Sequence, residues 1–124
     1  MIIVLDTNFL IYMIKQRVAD QLKDLGGKII VPSTVKKELQ KPSLGIKERA
    51  FASAALELLK VWDVEVMQTD VRDVDKSIID VAERLKTREK AIYVATSDKK
   101  LVNKLSSLGI RNICLKGGKV VYLA

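Results

Sequence analysis

The chain contains no histidine. Imidazole general bases and His-ligated zinc are therefore excluded, and any chemistry must rest on carboxylates, lysines, hydroxyls or a bound cation. The single cysteine, Cys114, lies in the apolar run Ile113 to Leu115 and has no internal partner for a disulfide. It reads as a small buried hydrophobe in a reducing, cytoplasmic compartment. Aromatic residues make up 5% of the chain, too few to announce a platform for stacked bases. No apolar run is long enough to cross a bilayer. The apolar start, Met1 to Leu5, is interrupted at Asp6 with no basic region or small-residue cleavage site, which argues against a secretory signal. There is no internal repeat, linker or low-complexity tract.

What is present is ordinary globular material. The 124 residues suit a single domain spanning positions 1–124, with 48% apolar and 30% charged residues. Lysine and arginine number 22 against 15 acids, a net charge of +7. That balance favours polyanionic partners such as RNA through phosphate neutralisation, although a solvated lysine-rich surface accounts for the composition equally well.

Met1 to Leu5 reads as a strand buried on both faces, the pattern of a parallel sheet. Phe9, Leu10, Met13 and Ile14 then recur at helical spacing, and a second short helix runs to Leu25 before Gly26-Gly27. Lys28 to Val31 is again strand-like, and Pro32-Ser33 opens a helix that contains Glu38. Pro42, Ser43 and Gly45 break the chain before an Ala- and Leu-rich helix from Arg49 to Val61. Val64 to Met67 is a weak strand. Val71, Val74, Ile78, Val81, Ala82 and Leu85 define an amphipathic helix. Ala91 to Ala95 is a further buried strand running into Thr96-Ser97-Asp98. A helix through Leu105, a short strand near Ile113 and a hairpin over Gly117-Gly118 complete the chain. Alternating strands and helices imply a three-layer α/β/α domain with a mainly parallel, twisted sheet of about five strands and a C-terminal hairpin.

Such sheets bind ligands beyond the carboxyl ends of their strands. Asp6 and Asp98 both follow buried strands there. Helix capping explains either one, since Asp is a preferred cap, but not why two strands end alike. In the helix from Val71 to Leu85, at about 100° per residue, Asp75 lies roughly 70° from the centre of the apolar stripe. Asp73, Asp80 and Glu83 lie roughly 130° or more away, and read, with Lys76, as a solvated face. Glu38 follows Val35 by three positions and borders the inward stripe of its helix; a surface glutamate balancing Lys36, Lys37 and Lys41 is the competing reading. Carboxylates gathered in one cleft repel by about 4 kcal/mol per pair at ~4 Å and an effective dielectric near 20. A divalent cation removes that penalty, and hard oxygen donors select Mg²⁺ or Mn²⁺. Such an ion suits hydrolysis of a phosphodiester by water.

With these residues placed, the chain resembles the PIN-domain nucleases along essentially its whole length. The resemblance is carried by Val4-Leu5-Asp6-Thr7-Asn8, by Val31-Pro32-Ser33-Thr34-Val35-Lys36-Lys37-Glu38-Leu39, by Asp75 with Ile78 and Ala82, and by Val94-Ala95-Thr96-Ser97-Asp98. It implies a PIN-like sheet flanked by helices, and a Mg²⁺- or Mn²⁺-dependent endoribonuclease. Its catalytic and metal-binding acids correspond to Asp6, Glu38, Asp75 and Asp98, with Asn8 and Thr96 orienting the carboxylates or a bound water. The tail from Gly109 to Tyr122 looks more like the archaeal and eukaryotic rRNA-processing branch than VapC-type toxins. Lys76 and Lys100 stand where many relatives carry further acids, which puts a second tightly held ion in doubt. RNA contacts are expected from Lys36, Lys37, Lys99 and Lys100, with Lys41 and Lys104 nearby. A homodimer is an expectation of the same kind, with Arg49 to Val61 the surface to test, as is an antitoxin or ribosome-assembly partner.

Three other readings compete. One is a catalytically weak or inactive PIN scaffold that binds RNA or assembly partners. A haloacid-dehalogenase-like phosphatase would want a second acid where Asn8 stands, and a response-regulator receiver would want its phosphoacceptor after the third strand. Dinucleotide binding is excluded because no Gly-rich turn follows the first strand.

Overall fold

The computed structural model describes residues 1–41, 46–89 and 91–123. The expected break at Pro42, Ser43 and Gly45 lies outside the described residues. The elements are β1 (Ile2–Leu5), α1 (Thr7–Lys15), α2 (Ala19–Lys23), β2 (Lys28–Pro32), α3 (Ser33–Leu39), α4 (Ile46–Val61), β3 (Glu65–Met67), α5 (Val74–Leu85), β4 (Ile92–Ala95), α6 (Lys99–Ser107), β5 (Arg111–Lys116) and β6 (Lys119–Leu123).

The strands form one sheet in the order β3-β2-β1-β4-β5-β6, parallel throughout except for the last pair. The sheet has six strands rather than about five because both arms of the hairpin belong to it. β5 pairs with β4, and β6 closes back on β5 across a turn in which Gly117 and Gly118 have φ of 54° and 72°. Two successive positive φ values are what a tight hairpin turn requires, and glycine adopts them without a Cβ clash.

β1 is central and its Ile3, Val4 and Leu5 have no exposed surface, which is why it reads as an unbroken apolar run. From β1 the chain builds outward to β2 and β3, then returns through α5 to β4 on the opposite side of β1. Right-handed crossovers consequently put α1 to α4 on one face of the sheet and α5 and α6 on the other. The direction of winding reverses between β1 and β4, so a crevice opens at their carboxyl ends.

The helix expected from Val71 begins at Val74. Asp73 takes the N-cap and its carboxylate accepts the Lys76 amide at 2.9 Å, which fixes the start. Val71 instead donates its amide to Thr69 Oγ1 at 3.2 Å in the preceding loop. Asp80 keeps 36% of its side chain exposed, and it also accepts from Thr69 Oγ1 at 2.9 Å and lies 3.5 Å from Arg84. Cys114 is buried, as expected.

α5 holds the sheet through Ile78, Val81, Ala82 and Leu85, all buried, with Ile79 only partly so. Ile78→Ala is expected to lower the unfolding free energy by about 2–5 kcal/mol, and Ile79→Ala by less, as read from urea denaturation.

Candidate active site

Leu5 lies opposite Ala95 in the register of β1 and β4, so the residues that follow, Asp6 and Thr96, emerge side by side at the reversal point. The Asp6 amide continues the ladder to the Ala95 carbonyl at 3.1 Å, and the Thr96 amide bonds the Ile113 carbonyl at 2.9 Å. The Thr96 hydroxyl donates to Asp6 Oδ2 at 2.9 Å and accepts the Asp98 amide at 3.2 Å. One fully buried hydroxyl thus orients the first acid and fixes the backbone of the second.

The capping alternative separates the two aspartates. Asp6 occupies the N-cap position of α1, yet its side chain makes no capping bond and turns to Thr96 instead. Asp98 does cap: its Oδ1 accepts the amides of Lys100 at 2.9 Å and Leu101 at 3.3 Å. No protein donor reaches its Oδ2 among the described residues.

Asp75 lies in the first turn of α5, which starts at the same sheet edge because the chain leaves β3 there. Glu38 sits near the end of α3, one turn beyond Thr34. Thr34 bonds the Ser77 hydroxyl; since Ser77 Oγ donates to the Val74 carbonyl at 2.6 Å, Thr34 supplies the proton between them. A second tie runs from the Thr69 amide to Ser33 Oγ at 3.2 Å. These bonds pin the helix bearing Glu38 to the helix bearing Asp75.

The electrostatics join the four acids. Burial pushes the Asp6 carboxyl up to about 6; the Thr96 hydrogen bond opposes it, the Asp75 carboxylate adds to it, the Thr7 backbone opposes it, and Glu38 adds a little more. Burial also raises Asp75, with Asp98 and Asp73 adding to the effect and Lys104 opposing it. The ion pairs among the described residues are Lys28 with Glu65, Lys60 with Glu57 and Arg84 with Asp80, so none of the four acids is held in an ion pair, although Lys104 acts on Asp75. Nor do any three acidic or cysteine side chains among the described residues converge as a ready ligand cluster. The donor set is nonetheless all oxygen and without an ion pair among the described residues, and the Thr7 hydroxyl next to Asp6 in the chain is buried without a partner. It fits a hard ion such as Mg²⁺ or Mn²⁺, which takes one or two carboxylates and keeps several waters.

A cleft of about 730 Å³ contains Asp6, Asn8, Ser97 and Asp98, with Tyr12 farther out. Glu38 faces a neighbouring groove with Lys37, Lys41 and Arg72. The other basic residues expected to meet RNA are dispersed. Lys36 faces a third groove beside Leu56 and Lys60, Lys99 lies beside Cys114 and Lys116, and Lys100 is exposed on α6. Sequence reading passed over Asn112, whose buried Nδ2 donates to the carbonyls of Thr96 at 2.8 Å and of Val94 and Ile113 at 3.1 Å each. It thereby holds the strand end that carries Thr96. A polar residue inside an apolar strand was its signal. Tyr12 and the Gly117-Gly118 turn were also missed as cleft-forming residues; Tyr12 stands four positions after Asn8, on the same side of α1.

Comparison with known proteins agrees with this fold. The sequence profile of a family described as PIN like domain matches residues 3–118. Ribonuclease VapC9 from Archaeoglobus fulgidus is 34% identical over 125 residues, covering 97% of this chain and 87% of the relative. The solved structure of the PIN domain endonuclease Utp24 superposes with a TM-score of 0.73 at 25% identity, over 98% of this chain and 90% of that one. A domain of a functionally unknown protein from Methanocaldococcus jannaschii shares the fold, with a TM-score of 0.61 at 20% identity over 94% and 91% of the two chains.

Because the folded-state pKa of Asp6 is raised above 3.8, the native protein binds more protons than the unfolded chain between about pH 4 and 6. Stability from this group is complete below the lower value and is lost as pH rises through about 6. In metal-free protein, Asp6→Asn should therefore raise the unfolding free energy by up to about 3 kcal/mol at pH 7–8. The gain should vanish near pH 4 in urea denaturation.

Proposed function

This chain belongs to the PIN-domain family, and we propose that it is a divalent-metal-dependent endoribonuclease whose centre is formed by Asp6, Glu38, Asp75 and Asp98. The observation that carries the proposal is the Thr96 hydroxyl linking the acids at the ends of the two central strands, where Asp6 is buried and no lysine or arginine among the described residues pairs with it. The name Ribonuclease VapC9 on the sequence relative and the endonuclease title on the structural neighbour support RNA as the substrate.

In this reading Asp6 is the innermost ligand and Thr96 holds its Oδ2, leaving Oδ1 to face the cleft. Asp98 keeps Oδ1 on the helix amides and offers Oδ2. Asp75 and Glu38 complete the negative field from the two helices tied together by Thr34 and Ser77. A bound Mg²⁺ or Mn²⁺ supplies charge neutralisation for the phosphate and a more acidic water. Asn8, exposed at the opening of α1, is placed to orient that water or the phosphate. Lys37 and Lys41 beside Glu38 supply the cationic flank for the RNA backbone. Residues 1–124 act as one nuclease unit in this account. Growth arrest on expression, relieved by a cognate antitoxin, would mark a toxin-type role; cleavage of a pre-rRNA at one position would mark a processing role.

The wild-type protein should cut single-stranded RNA with Mg²⁺ or Mn²⁺ and stop when EDTA is added. Asp6→Asn and Asp98→Asn should each reduce the rate at least roughly a hundredfold. Asn remains a good N-cap, so Asp98→Asn should fold normally. Equal cleavage by all three proteins, or cleavage in EDTA, would disprove the assignment. Thr96→Val should raise the metal concentration needed for half-maximal rate by about 10–100-fold, as loss of a residue that orients a ligand does.

A further inference from the structure

α1 presents Asn8, Tyr12 and Gln16 at four-residue steps, so their side chains form one row on the helix surface. All three face the cleft that contains Asp6 and Asp98. The row begins beside Asp6 and ends under the hairpin, where a Cβ on Gly118 would lie 4.0 Å from Gln16 Oε1. Tyr12 is the exceptional member. Its neighbour Phe9 is 1% exposed and belongs to the core, whereas Tyr12 is 53% exposed. Large exposed aromatics beside a polar cleft are a feature of recognition sites rather than of core packing.

The ring is also held in place. Lys15 Nζ lies 5.6 Å from the Tyr12 ring centroid and 5.5 Å from that of Phe51 on α4, so one ammonium lies against both rings. It attracts the electron-rich face of each and occupies one side of Tyr12. With 53% of the Tyr12 surface exposed, the ring keeps area on which a flat group can rest. About 9 Å of helix axis separates Asp6 from Tyr12, which places the ring beside the acids rather than among them. A ligand that fits has an anion for the divalent ion that the proposed function puts at the acidic end, a planar π surface for Tyr12, and edge donors or acceptors for the Gln16 amide.

We infer that Tyr12 is the stacking platform for a nucleobase of single-stranded RNA next to the scissile phosphate, with Gln16 at the base edge and Lys15 backing the ring. This rests on the ribonuclease reading given above. A base paired in a duplex has both faces covered by its neighbours and cannot use such a ring, so the platform selects unpaired segments. Base–aromatic stacking tolerates any base, so the preference is for strandedness more than for sequence.

Two measurements test this. In steady-state cleavage of a single-stranded oligonucleotide, Tyr12→Ala should raise KM roughly 5- to 100-fold with little change in kcat, and Tyr12→Phe should restore the wild-type value. Binding is read separately in Tyr12→Trp combined with Trp62→Phe, which moves the chain's only tryptophan to the platform, and with Asp6→Asn to prevent cutting. Single-stranded RNA should quench that tryptophan, and a blunt duplex of the same sequence should not. Quenching without cleavage by the wild type would keep the base subsite and remove the nuclease reading. Cleavage with no quenching and an unchanged KM for Tyr12→Ala would remove the subsite and leave the nuclease reading standing. Equal quenching by duplex and single strand would also overturn the stacking role.

Discussion

A carboxylate is buried where two parallel strands end, and the protein gives it a hydroxyl instead of a cation. Desolvation, with the neighbouring Asp75 and Glu38 carboxylates pushing the same way, raises the Asp6 carboxyl, which stands at about 6 with the opposing hydrogen bonds included. The Thr96 hydroxyl offsets part of this by donating to Oδ2. The remaining imbalance is an electrostatic demand for positive charge that no lysine or arginine meets by an ion pair among the described residues. In the proposed function an ion delivered from solution would meet it, which would tie affinity for metal to the same interaction that destabilises the metal-free fold.

The fold exists around that point. The sheet reverses direction between β1 and β4, so the loops after these strands part and leave a crevice. Asp6 and Thr96 are neighbours because Leu5 and Ala95 are in register. Asn112 on β5 holds the Thr96 carbonyl from behind. α5 brings Asp75 to the edge, and the Thr34–Ser77 bond ties it to the helix of Glu38. Positions far apart in the chain are thus fixed relative to one another by backbone register and four short polar side chains, not by packing alone.

Much of this was legible in the sequence because burial on both faces leaves an unmistakable apolar run and an acid at its end is easy to see. β1, β2 and β4 and the site positions Asp6 and Asp98 follow from that pattern. Asp75 was separable from Asp73 because helical geometry distinguishes a shoulder from an outer face, and the structure agrees: Asp73 is an exposed cap while Asp75 is partly buried. The same reasoning left out one partner of Asp80, because the bond from Thr69 depends on how a loop folds back over α5, whereas Arg84 is simply its i+4 neighbour on the helix. The lysines were illegible for a related reason. Lys36 and Lys37 are adjacent in sequence but face different grooves, which only the crossing of α3 with α4 and α5 decides. Tyr12 was hidden by composition: so few aromatics gave no hint that one of them would be left standing in the cleft.

Asp6, raised to about 6, would in the proposed centre exchange its proton for a divalent ion. Calorimetric titration of Mn²⁺ in buffers of different ionisation enthalpy measures this directly. At pH 6 binding should release about half a proton from Asp6, whose pKa is about 6, and at pH 8 almost none. Asp6→Asn should abolish both the binding and the release. Mn²⁺ binding of equal strength in the variant, or no binding to the wild type, would contradict the account.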